Sequence, residues 1–295
     1  MKSLRLSGLG TALVTPFAED GSVDLHCMEQ LVERQIRGGV HMLIPCGTTG
    51  EGVTIHDDEY QQLVERVVRV TAGRVPVIAG AGSNATDRTI RTAALAQECG
   101  ADAVLVVGPY YNKPTQEGYY QHFRAVAESV RIGVVLYNVP GRTSGNISAD
   151  TQLRLAEIDN IIATKEASAN FSQIMDIVAH KPEGFAVLSG DDNLALAQIA
   201  IGMDGVISVV SNEIPAEYAA MVTHALEGRF DEARRIHYRY VKLMETNFIE
   251  SNPIPVKTAM AMMGLLKEQF RLPLVAMEQR NRAVLQDVLT EAGLL

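Results

Sequence analysis

Short apolar runs alternate along the chain with longer stretches in which apolar residues recur every three or four positions. The runs are Leu9–Val14, Met42–Pro45, Val75–Ala79, Ala103–Val107, Val134–Tyr137, Ile161–Thr164, Phe185–Leu188 and Gly205–Val209. None alternates apolar with polar, so each predicts a strand buried on both faces, as in a parallel sheet covered by helices. The stretches Asp24–Arg37, Asp57–Thr71, Asn84–Glu98, Gln116–Ser129, Ala149–Glu157, Phe171–Ala179, Asn193–Ile201 and Ala216–Leu226 predict the covering helices. Acids in first turns support them at Asp57-Asp58-Glu59 and Ser148-Ala149-Asp150, and Asn84 and Asp191 stand where caps are wanted. Eight such units predict an α/β fold, a (β/α)8 TIM barrel over residues 1–226. The later stretches Gly228–Phe248, Pro253–Gly264 and Leu274–Ala292 predict helices with no strand between them. Residues 227–295 are therefore expected to form a small C-terminal helical extension, too short to build much core alone.

Active sites of such barrels lie where the strands end and the following loops begin. The run Ile161-Ile162-Ala163-Thr164 leads into Lys165 at that end. An ammonium is costly to bury, and desolvation favours the neutral amine, the form that adds to a ketone to give a Schiff base. The plainer alternative is a lysine that reaches past the strand end to solvent. Strand two ends in Cys46-Gly47-Thr48-Thr49-Gly50-Glu51-Gly52, whose amides and hydroxyls suit a carboxylate, unless the glycines serve a tight turn only. Strand four ends in Gly108-Pro109-Tyr110-Tyr111, where the paired tyrosines fit packing or a hydroxyl role. Strand five ends in Tyr137-Asn138-Val139-Pro140-Gly141-Arg142. Tyr137 is a candidate acid or base, and Arg142 a candidate carboxylate fork or a surface cation. Strand seven ends in Ser189-Gly190-Asp191-Asp192 and strand eight in Val206-Ile207-Ser208.

Composition narrows the classes. With 295 residues, 47% of them hydrophobic, the chain can bury a sizeable core. It has no apolar run of about 18 residues, so no membrane span is expected. The N-terminus reads as a first strand and not as a signal peptide. A net charge of −9 with no basic block argues against nucleic acid as a partner. Cys27, Cys46 and Cys99 are scattered and odd in number, which fits reduced thiols and a cytoplasmic location. Gly80-Ala81-Gly82-Ser83-Asn84-Ala85 resembles a dinucleotide loop, but Asp102 precedes its strand, so the ribose contact fails. The seven histidines have no zinc spacing, and Asp191-Asp192 fits helix-opening acids better than a metal site.

Gly47-Thr48-Thr49-Gly50-Glu51, Pro109-Tyr110-Tyr111-Asn112, Tyr137-Asn138-Val139-Pro140-Gly141-Arg142-Thr143, Lys165-Glu166-Ala167 and Gly205-Val206-Ile207-Ser208 together resemble the dihydrodipicolinate synthase family. That family stands within the class I pyruvate aldolases, beside N-acetylneuraminate lyase. The similarity runs from Gly8 to the Asn252–Lys257 segment. It implies that Lys165 forms an imine with pyruvate and that Thr48 and Thr49 hold the pyruvate carboxylate. It implies that Tyr137 moves protons at the imine carbon, in a hydroxyl relay with Thr48 and Tyr111, and that Tyr111 is inserted from a neighbouring subunit. Arg142 is implied to bind the carboxylate of L-aspartate 4-semialdehyde, and the backbone at Gly190 and Ile207 to line the pyruvate pocket. No metal or organic cofactor is implied, because the imine nitrogen serves as the electron sink. The implied assembly is a homotetramer built from two tight dimers, and the implied pathway is lysine and diaminopimelate biosynthesis.

The alternative is a sibling aldolase acting on N-acetylneuraminate or a 2-keto-3-deoxy sugar acid. Arg142 suits a short semialdehyde carboxylate and would crowd a polyhydroxylated chain. A binding protein on the same barrel is disfavoured by the joint presence of Lys165, Tyr137, Tyr111 and Thr48. One departure concerns regulation. Lysine-sensitive members of the family carry a Glu where this chain has Arg88, and histidines at Asp57 and Tyr60, whereas Asn84 and Tyr110 match. A cation at 88 repels a lysine ammonium, so weak or absent inhibition by lysine is expected.

Overall fold

The computed structural model describes residues 4–295. Its strands are β1 (Gly8–Ala12), β2 (Met42–Ile44), β3 (Ile78–Gly80), β4 (Ala103–Val107), β5 (Gly133–Asn138), β6 (Ile161–Glu166), β7 (Ala186–Ser189) and β8 (Gly205–Ser208). All pair in parallel in the order β2-β1-β8-β7-β6-β5-β4-β3. The ring closes between β2 and β3 through a Leu43–Val77 bridge, with the Gly80 amide donating to the Pro45 carbonyl at 2.9 Å. This is the expected (β/α)8 barrel.

Helices α1 (Leu25–Arg37), α2 (Asp57–Thr71), α3 (Thr86–Glu98) and α4 (Gln116–Ser129) follow the first four strands. A single turn α5 (Pro140–Thr143) and helix α6 (Ala149–Ala156) follow β5. Helices α7 (Phe171–His180), α8 (Ala195–Ala200) and α9 (Pro215–Leu226) complete the ring. Three more, α10 (Phe230–Thr246), α11 (Ile254–Met262) and α12 (Gln279–Ala292), run on without a strand.

The apolar runs resolve into two faces because side chains alternate along a strand. On β5, Val134 and Leu136 pack outward against helices, while Val135 and Tyr137 join the barrel interior with Ile44, Leu105, Ala163 and Leu188. On β6 the same alternation sends Lys165 inward and Glu166 outward, so the lysine stands within the strand and not after it.

Several boundaries differ from the expected ones for local reasons. Strand β3 lies three residues later because Pro76 has no N–H for a ladder and only its carbonyl is used, accepting from Leu43 at 3.0 Å. Asn84 is not a cap: α3 begins after Ala85, and the Asn84 carbonyl accepts from Asn112 Nδ2 at 2.8 Å. Asp191 is not a cap either, since α8 begins only after Leu194. Helix α12 starts at Gln279, five residues after Leu274. The Glu250 carboxylate, from the loop between α10 and α11, accepts there from the Glu278 amide at 3.0 Å and from Asn281 Nδ2 at 2.8 Å.

Candidate active site

Lys165 is 6% exposed, and its Nζ lies 4.5 Å from the centroid of the Tyr137 ring. The two residues are register partners on β5 and β6, so adjacent strands deliver both side chains to one point of the barrel interior. Gly190 leaves the room that Lys165 fills. A Cβ there would stand 3.1 Å from Lys165 Cε and 2.5 Å from Ala167 Cβ.

Around the amine is a small chamber of about 70 Å³, walled by Thr48, Thr49, Tyr137, Arg142, Gly190 and Asp191 among others. It meets a larger cavity of about 680 Å³ along Gly47, Thr48, Tyr137 and Arg142. The glycine-rich turn folds on itself: the amides of Gly50 and Gly52 donate to the Gly47 carbonyl and that of Glu51 to the Thr48 carbonyl, all at 3.1 Å. Glu51 adopts a left-handed φ of 53° to close it. Among the described residues, the Thr48 and Thr49 amides donate to no other group, which leaves two donors at the chamber wall. Arg142 sits in α5, a turn started by Pro140, and its NH2 donates to the Asn252 carbonyl at 3.3 Å. A carbonyl compound in the chamber would thus meet an amine, a phenol, two free amides and a guanidinium, the set that imine formation from a keto acid needs.

The sequence matches the Dihydrodipicolinate synthetase family over residues 5–292. The chain belongs to that family. A relative from Koribacter versatilis, named 4-hydroxy-tetrahydrodipicolinate synthase, is 53% identical over 99% of this chain and 98% of its own. Another of that name from Chlorobium phaeobacteroides is 49% identical over all of both chains. The crystal structure of dihydrodipicolinate synthase from Aquifex aeolicus superposes with a TM-score of 0.96 at 46% identity, covering 98% of this chain and 99% of that one.

One residue singled out from the dihydrodipicolinate synthetase motifs is not brought to the chamber by its own chain. Tyr111 is 88% exposed, with a φ of 73°, and projects from the loop after β4. Ile207 is fully buried in the barrel interior on β8, and Val209, just past the end of that strand, lines the chamber. Conversely, the structure adds residues that the motifs did not single out. Asn252 lines the chamber from the segment before α11 and donates through Nδ2 to Thr49 Oγ1 at 3.0 Å, leaving its own Oδ1 without a partner.

Asp191 also lines the chamber, and its buried Oδ2 has no partner. Burial pushes this carboxyl up to about 6, against the opposing pull of the nearby Lys165 side chain. Asp192 turns away and ties down the chain after β8, accepting from the Val209 amide at 3.0 Å and the Val210 amide at 2.8 Å. Among the described residues no group of three His, Cys, Asp or Glu is placed to hold a metal ion, and no helix is long and apolar enough to cross a membrane.

Proposed function

We propose that the protein is a 4-hydroxy-tetrahydrodipicolinate synthase, condensing pyruvate with L-aspartate 4-semialdehyde in lysine and diaminopimelate biosynthesis. The observation that carries the reading is the Lys165 amine, held out of solvent beside Tyr137 in a chamber walled by the unbonded amides of Thr48 and Thr49. Its membership of the family and its relatives of that name support the choice of substrates.

In the proposed mechanism, the amine adds to the C2 carbonyl of pyruvate, and the carbinolamine loses water to give an imine. Tyr137 supplies the proton that leaves with that water. Thr48 and Thr49 hold the pyruvate carboxylate through their amides. Loss of a C3 proton then places an electron pair on the imine nitrogen, giving an enamine. The enamine C3 attacks the aldehyde carbon of the second substrate, whose carboxylate pairs with Arg142. The semialdehyde's own amine finally adds to the imine carbon, displaces Lys165 and closes the ring.

The proposed assembly is a homotetramer of two dimers. Tyr111 projects into solvent on its own chain, as expected of a group that completes its neighbour's proton relay with Thr48 and Tyr137. The proposed setting is the cytoplasm, in keeping with three buried, unpaired cysteines. No organic cofactor enters the scheme, because the lysine nitrogen itself takes the electron pair.

An assay coupled to consumption of the ring product tests the reading. Turnover with pyruvate and aspartate semialdehyde supports it. Turnover with N-acetylneuraminate or a keto-deoxy sugar acid, and none with the semialdehyde, overturns it.

A further inference from the structure

Behind Lys165, on the outer face of the barrel, lies a buried carboxylate that the proposed chemistry does not use. Glu166 is fully buried, and every partner it has is a donor. Asn138 Nδ2 reaches both of its oxygens at 3.1 Å, Gln152 Nε2 donates at 2.8 Å, Gln173 Nε2 at 3.1 Å and the Ser168 amide at 2.9 Å. These donors come from β5, α6, α7 and the loop after β6, so one side chain gathers three elements and a loop. The network is itself fixed. Gln152 accepts from Thr164 Oγ1 at 2.7 Å and donates to the Ile147 carbonyl at 2.9 Å, while Asn138 Oδ1 accepts from the Ile147 amide at 3.0 Å.

The placement matters because of register. Asn138 pairs with Glu166, and the preceding pair is Tyr137 with Lys165. Successive residues face opposite sides of a strand. The outward pair is therefore bonded side chain to side chain directly behind the inward pair that carries the chemistry. Sliding or twisting of β6 against β5 would move Lys165 off the Tyr137 ring, and it would also break both Asn138–Glu166 contacts.

We infer that Glu166 is a positioning residue: its carboxylate clamps Asn138 on β5 to helices α6 and α7, and thereby holds the Lys165 amine in line with Tyr137 for imine formation. A carboxylate suits this better than an amide. Both oxygens accept, whereas a glutamine would turn an NH2 toward the amide donors that surround it.

The inference rests on the proposed Schiff-base reading, and the test separates the two. Purified wild type and Glu166→Gln are mixed with saturating pyruvate and cyanoborohydride, and the rate of covalent trapping is measured per folded chain, beside the melting temperature. The variant is expected to trap about tenfold to a hundredfold more slowly, the penalty of a misplaced reacting group. Asn138→Ala is expected to do the same, and the double variant to be no slower than the slower single. A trapping rate within about twofold of wild type, with only the melting temperature lowered, overturns the inference and leaves Glu166 a structural residue. Should Glu166→Gln fail to fold, Gln173→Leu removes one donor from the rim of the network and is expected to slow trapping several-fold; an unchanged rate overturns the inference. If wild type traps no pyruvate at all, the Schiff-base reading falls. The crystal structure of Glu166→Gln then decides: Lys165 displaced from the Tyr137 ring supports the clamp, and Lys165 in place overturns it.

Discussion

Lys257, in helix α11 of the C-terminal extension, donates to Glu51 in the glycine-rich turn at 2.5 Å, and both side chains are shut off from water. The Lys257 Nζ also lies 4.4 Å from the Phe17 ring centroid and 5.0 Å from that of Phe270, while the Arg271 amide donates to the other Glu51 oxygen at 3.2 Å. Burial holds the Lys257 ammonium below its ordinary range, and the Glu51 carboxylate opposes that. The helices after the barrel thus pin the turn that carries Thr48 and Thr49.

Removing one partner of such a pair strands a buried charge. Lys257→Met is expected to lower stability by about 3–5 kcal/mol and to raise the KM for pyruvate through the loosened turn. The double variant Glu51→Gln/Lys257→Met should recover much of that loss. Denaturant unfolding of the three proteins checks this, and a double variant less stable than Lys257→Met contradicts it.

Asp191 gives a stability signature that depends on pH. Its carboxyl titrates at about 6 in the folded chain against 3.8 ordinarily, so folding takes up a proton between those values. Its contribution to stability is then fully present below pH 3.8 and lost as pH rises through about 6. Asp191→Asn stays neutral throughout. It is expected to be more stable than wild type above pH 6 by on the order of 2 kcal/mol, with the difference closing toward pH 4. Thermal melts across that range are the check, and an offset independent of pH contradicts the assignment.

Much of the fold was legible from periodicity alone. Among the described residues, all eight strands and eleven of the twelve α-helices fall on the stretches that the apolar pattern marks, the exception being the four-residue turn α5. Local chemistry misled where a distant group sets the outcome. The start of α12 is tied to Glu250, some thirty positions earlier, through the Glu278 amide and Asn281 Nδ2, and no pattern around Leu274 records that. Lys165, Tyr137, Thr48, Thr49, Arg142 and Gly190 were legible because strand ends of a barrel converge. Asn252 was not, since its bond to Thr49 spans 203 positions and no local pattern records it. The partners of Glu166 are likewise amides scattered over three elements, each ordinary in its own stretch.

The exposed Tyr111 leads to a complementation experiment. Lys165→Ala and Tyr111→Phe are each expected to be nearly inactive. If Tyr111 serves the neighbour's site, a mixed dimer of the two holds one complete site. Mixing under exchange should then restore about one quarter of wild-type activity, the statistical yield for random pairing in a two-fold dimer. No recovery after demonstrated exchange contradicts a shared site.

Arg88 lines the larger cavity with Asp57, Tyr60 and Tyr110 and forms no ion pair among the described residues. A lysine ammonium approaching it meets a like charge. Sub-millimolar lysine is expected to leave activity nearly unchanged, and Arg88→Glu to increase sensitivity. An inhibition curve with half of the activity lost at sub-millimolar lysine contradicts this.

The most direct test is chemical. Wild-type protein is incubated with pyruvate, reduced with borohydride, and digested for mass spectrometry. One pyruvate-derived adduct per chain is expected, confined to the peptide carrying Lys165 and absent from Lys165→Ala, with the variant still folded. An unmodified Lys165 peptide, or an adduct on another lysine, contradicts it.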